Sequence, residues 1–149
     1  PNMGIYNTAK AAVVNLTETL YHDLNLVTDQ IGASLLCPYF VPTGITHSQR
    51  NRPDSQAAAT LTRSQQIGQA MTEKAVTSGK VSAEQVAQKV FAAISANQFY
   101  VFSHESPRAL GNISSRMQNM VELRNPVDPF IEAPEVGARL RAALRAPAS

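Results

Sequence analysis

Between residues 5 and 27 apolar side chains recur at Ile5, Ala9, Ala12, Val13, Leu16, Leu20, Leu24 and Val27. These steps of three and four paint one face of a long helix. A second line through Tyr6, Val14, Thr17 and Tyr21 is also uncharged, so the helix is expected to be covered on two sides, its first stripe lying against a sheet. Gly32 ends the pattern. Ala33-Ser34-Leu35-Leu36-Cys37, stopped by Pro38, is apolar and too short for an independent helix, and reads as a buried strand. A long helix feeding a buried strand restricts the chain to architectures in which helices cover a sheet.

The next stretch, residues 46–80, is rich in Gln, Ser, Thr and Ala. It carries a turn-like Arg50-Asn51-Arg52-Pro53-Asp54 and only a weak helical pattern through Leu61, Ile67, Met71 and Val76. So long and weakly patterned an insertion has the character of a lid or binding segment. Ser82 with Gln85 forms a capping box, which predicts a helix start, and Ala83, Val86, Ala87, Val90 and Ile94 give that helix an apolar face. It leads into Phe99-Tyr100-Val101-Phe102, rich in strand formers. Helix, strand, insertion, helix, strand is the alternation of an α/β fold with a parallel sheet. Pro107 opens a further helix through Leu123, expected to bury Leu110, Ile113, Met117, Met120 and Val121. Pro126, Pro129 and Pro134 mark an irregular link to a last helix bearing Arg139, Arg141 and Arg145.

Composition narrows the function classes. With 149 residues, 44% of them hydrophobic, the chain is an ordinary globular one. Thirteen basic residues against 11 acidic ones make no electrostatic footprint for nucleic acid. No apolar run approaches the ~20 residues of a membrane span, so no membrane partner is expected. A single cysteine, Cys37, cannot close an internal disulfide and suits a reducing, cytoplasmic setting. His22, His47 and His104 lack ligand spacing, so no metal is expected.

The residues with chemical potential are Tyr6 and Lys10, four apart on the first helix and therefore one turn apart on one face. A nearby ammonium favours the phenolate of a tyrosine, which makes proton exchange with a substrate oxygen feasible. The loop Pro38-Tyr39-Phe40-Val41-Pro42-Thr43 follows the predicted strand, at the carboxyl end where open α/β sheets bind ligands. Together, Tyr6-Asn7-Thr8-Ala9-Lys10 and this loop resemble the Tyr-x-x-x-Lys and Pro-Gly-x-Val-x-Thr segments of the short-chain dehydrogenase/reductase family, at the family's spacing of one helix plus one strand.

The resemblance implies the C-terminal half of a Rossmann-type doubly wound parallel sheet. Residues 1–149 would be the C-terminal part of one domain, with residues 46–80 as substrate lid and the N-terminal nucleotide-binding part absent. It implies an oxidoreductase moving a hydride between NAD or NADP and a small carbonyl or alcohol substrate. Tyr6 would be the acid/base, and Lys10 would favour its phenolate and hold the nicotinamide ribose. Tyr6, Lys10, Pro38, Val41 and Thr43 would form the cofactor-binding set, the main chain of Val41 and the side chain of Thr43 holding the carboxamide. A homo-dimer or homo-tetramer is the expected assembly, with the first helix at the interface.

Two departures stand out. Tyr39 occupies the family's glycine position, so its ring must turn either away from the substrate pocket or into it. The seven glycines contain no Gly-x-Gly, which leaves no pyrophosphate turn, and the substrate-orienting serine has no counterpart in the five residues before Tyr6. The isolated chain is therefore expected to be inactive, and the alternative to the enzyme reading is a truncated, non-catalytic half acting as an assembly or interaction module.

Overall fold

The computed structural model describes residues 3–51, 53 and 60–146. The described residues form two compact units, Pro1–His104 and Glu105–Ser149, each treated by itself below.

The first unit is built on a parallel pair of short strands, β1 (Leu35–Cys37) and β2 (Tyr100–Phe102), in the register Leu35↔Tyr100, Leu36↔Val101 and Cys37↔Phe102. Parallel neighbours need a crossover. Here it contains 3-10 turns over Gly44–Asn51, kinked at His47, then α2 (Arg63–Thr77) and α3 (Ala83–Ser95). Leu35 and Val101 are buried, with Val76, Val86 and Ala93 from the crossover helices. That is the core, and it is small.

The starts of the crossover helices are written in their side chains. Ser82 accepts from the Gln85 amide while Gln85 reaches back to the Ser82 amide, the expected capping box. Thr62 and Gln65 form a second box at the start of α2. The weak pattern of the insertion therefore does produce a helix: hydrogen bonds fix its entry, and Val76 near its end is buried. Arg52 and residues 54–59 of that insertion, including Asp54 of the expected turn, lie outside the described residues.

The first helix, α1 (Gly4–Val27), reverses the expectation about its faces. The second line supplies the contact with the sheet: Tyr21 meets Phe99 edge-on at 4.9 Å, and one turn earlier Glu18 accepts a 2.6 Å hydrogen bond from the Tyr100 hydroxyl. Val14, Thr17 and Tyr21 are half-buried, whereas the stripe expected to face the sheet is open, with Ile5 at 90% and Leu16 at 71% exposure. The aromatic ring and the carboxylate–phenol bond decide the orientation, and apolar periodicity alone does not register either. The face of α3 is likewise split, Val86 and Ala93 inside and Ile94 outside.

In the second unit, α4 (Pro107–Val121) is capped by Ser106, and α5 (Pro134–Arg145) begins with the last of the three prolines. Buried Gly137 sits against Phe130. Burial of the α4 stripe is not realised: Leu110, Ile113, Met117, Met120 and Val121 are all exposed. Among the described residues no helix is long and apolar enough to cross a membrane.

Candidate functional site

Tyr6 stands in the first turns of α1, half-exposed, with Lys10 one turn on. The lysine Nζ lies 5.5 Å from the centre of the tyrosine ring, within the range of a cation–π contact. Helix geometry alone brings these two groups together.

A cavity of about 860 Å³ has Tyr6 in its wall. Opposite α1 it is lined by Ile45, Thr46, His47 and Ser48 from the 3-10 segment and by Gln65, Gln69, Thr72 and Glu73 of α2. The spacing of Gln65, Gln69 and Glu73 puts one polar ridge of α2 along the cavity. Thr46, His47 and Ser48 and one side of α2 thus share the cavity wall with the candidate acid/base. Lys10, Pro38, Val41 and Thr43 are not among the lining residues.

The loop 38–43 leaves the carboxyl end of β1 and is gripped from two sides. On one side Ser103, the residue after β2, is fully buried and its Oγ accepts the Tyr39 amide proton at 2.8 Å. The same Oγ lies 2.8 Å from Nδ1 of His104, whose ring meets the edge of Tyr39 at 5.5 Å. On the other side Gly79, just beyond α2, passes so close that a Cβ there would stand 2.5 Å from the Phe40 carbonyl oxygen and 2.8 Å from Pro42 Cδ. The Tyr39 ring stacks edge-on against Phe40 and His104 and is absent from the wall of the Tyr6 cavity. Thr43 Oγ1 accepts from the Ile45 amide at 3.4 Å, which leaves its hydroxyl proton to donate.

Two titrating groups nearby are perturbed by α1. Hydrogen bonding to the Glu18 carboxylate holds the Tyr100 phenol above its ordinary range, since that bond needs the phenolic proton. Burial pushes the Cys37 thiol up, and the Glu18 charge adds to it.

Sequence reasoning did not single out Ser103, Gly79 or the α2 ridge. Ser103 had a signal, its place at the carboxyl end of a parallel strand. Gly79 and the ridge had none, because their roles depend on where α2 lies.

No family model matches the chain. The chain is 47% identical to a short-chain dehydrogenase/reductase from Burkholderia phymatum, solved in complex with NAD, and superposes on it with a TM-score of 0.81 over 87% of its own length. It belongs to the short-chain dehydrogenase/reductase family. A second family relative, the CLA biosynthesis dehydrogenase/reductase of Lactiplantibacillus plantarum, is 30% identical over 125 residues, 81% of this chain. The chain spans 46% of the former protein and 43% of the latter. Its two-stranded parallel sheet and crossover helices are part of the family's Rossmann-type α/β fold.

Proposed function

We propose that this chain carries the proton-transfer and nicotinamide-side part of an NAD- or NADP-dependent oxidoreductase acting on a small carbonyl or alcohol. The observation that carries this reading is the cavity that joins Tyr6 to the segment directly following the loop 38–43. NAD in the Burkholderia protein supports the cofactor class. When bound, the cofactor supplies or accepts the hydride.

The residues present suit that group. Lys10 offers three donors for ribose hydroxyls, the Val41 main chain and the Thr43 hydroxyl offer complementary groups to a carboxamide, and Pro38 sets the direction of the loop. In the reducing direction the Tyr6 hydroxyl gives its proton to the substrate oxygen, and in the oxidising direction the Tyr6 phenolate takes it. Lys10 Nζ, 5.5 Å from the centre of the Tyr6 ring, stands beside the group that exchanges the proton. Residues 46–80 act as the substrate lid, its α2 ridge of Gln65, Gln69 and Glu73 presenting polar groups to substrate. The single cysteine agrees with a reducing, cytoplasmic setting.

The open stripe of α1, with Ile5 and Leu16, supports assembly with further polypeptide, a homo-oligomer being the reading we favour. It is also the observation behind the second reading, a non-catalytic assembly module. Loss or gain of nicotinamide absorbance when the intact protein, residues 1–149 with any sequence that accompanies them in the native polypeptide, meets a series of aldehydes, ketones and alcohols separates the two. Turnover of any of them with NAD(H) or NADP(H) supports the enzyme; none across the series leaves the assembly module.

A further inference from the structure

Ser103 is the one fully buried polar side chain among the described residues, and the proton-transfer scheme makes no use of it. Burial of a hydroxyl is unfavourable unless its hydrogen bonds are made. Here Oγ accepts from the Tyr39 amide at 2.8 Å and is hydrogen-bonded to His104 Nδ1 at the same distance. The Ser103 amide, in turn, reaches the Cys37 carbonyl at 3.4 Å.

These bonds run from the end of one parallel strand to the loop leaving the other. Tyr39 is two residues before Val41, so the bond fixes the main chain immediately upstream of the carbonyl and amide that would meet a carboxamide. The His104 ring lies against the edge of Tyr39 on the same side and restrains the loop a second time. Strand pairing ends at Cys37 and Phe102, so beyond that point the loop no longer has the ladder to hold it. Ser103 takes over where the ladder stops.

We propose that Ser103 is a positioning residue for the nicotinamide end of the site. It holds the loop 38–43 through Tyr39 so that Val41 and Thr43 meet the carboxamide without first having to be ordered. The role rests on the dinucleotide reading above. It separates the two halves of the cofactor: the latch acts on the nicotinamide half and leaves the adenosine diphosphate half untouched.

The test is binding of NADH and of ADP-ribose to the intact protein and to Ser103→Ala, by fluorescence and calorimetry. Loss of one hydrogen bond's worth of preorganisation weakens NADH about tenfold, while ADP-ribose affinity stays as in the unmodified protein. Ser103→Thr, which keeps the hydroxyl, should restore most of the difference. His104→Phe, which keeps a ring against Tyr39 and removes the nitrogen, should shift NADH in the same direction by less, and it carries the comparison if Ser103→Ala does not fold. Equal weakening of both ligands would mark Ser103 as a merely structural residue and overturn the proposal, as would no change in either. If the unmodified protein binds neither ligand, the dinucleotide reading fails and the latch with it; a flat Ser103→Ala result in a protein that binds NADH sinks the latch alone.

Discussion

Adding one methyl group to this chain should have opposite consequences at two glycines, and the difference can be worked from distances. At Gly79 a Cβ would stand 2.5 Å from the Phe40 carbonyl oxygen and 3.1 Å from its carbon. Ordinary carbon–oxygen approach is ~3.3 Å, so the intrusion is about 0.8 Å. The neighbours are backbone and a proline ring, which cannot swing aside. Gly79 does not have a positive φ, so the penalty is steric alone. Overpacking of this kind costs ~1–3 kcal/mol, and the reduced freedom of the unfolded chain returns ~0.4–1 kcal/mol. Gly79→Ala should therefore destabilise by about 1–2 kcal/mol, a fall in Tm of roughly 2–8 °C. At Gly111, inside α4, the same Cβ meets nothing within 4 Å. There the helix-forming preference of alanine acts unopposed, and Gly111→Ala should stabilise by about 0.5–1 kcal/mol. Urea unfolding followed by circular dichroism measures both. A Gly79→Ala protein as stable as its parent would show that α2 does not rest on the loop 38–43 as described, and the two-sided grip on that loop would have to be abandoned.

Other outcomes follow from the same contacts. In a spectrophotometric titration one of the four tyrosines should ionise above the ordinary range, and Glu18→Gln should bring it back, because the Tyr100 phenol needs its proton to reach Glu18. The sign for stability is that of a raised group: the contribution is complete below about pH 10 and is lost as pH rises through the raised value, so Glu18→Gln should flatten the alkaline fall. Leu16→Glu on the open stripe of α1 should reduce association in light scattering, whereas Val14→Glu, on the half-buried line, should lower stability instead. Residues 1–149 alone, a 16.1 kDa species, should show no micromolar affinity for NAD or NADP by calorimetry, since no Gly-x-Gly turn is present to hold pyrophosphate.

Legibility in the sequence divides along a physical line. α1, α3 and both strands could be read because local signals specify them: the stripe from Ile5 to Val27, the Ser82–Gln85 box, and the strand formers Tyr100 to Phe102. The Tyr6–Lys10 pair was readable for the same reason, its geometry being that of one helical turn. The Thr62–Gln65 box is equally local, yet it lies in a polar stretch whose apolar pattern is weak. What the sequence does not display is pairing between distant segments. Glu18 with Tyr100, Tyr39 with Ser103 and Gly79 with Phe40 each decide an orientation or a loop position through a contact that no window of neighbouring residues contains. The face that α1 turns to the sheet and the role of Ser103 both hinge on such contacts.

Turnover of Tyr6→Phe in the intact protein, measured beside its NADH affinity, tests the central claim most directly. Removing only the hydroxyl should leave the fold as it is and NADH still bound, and lower the rate of carbonyl reduction at least ~10²-fold, the contribution usual for a general acid. Turnover close to that of the unmodified protein, with NADH still bound, would contradict the assignment of Tyr6 as the acid/base.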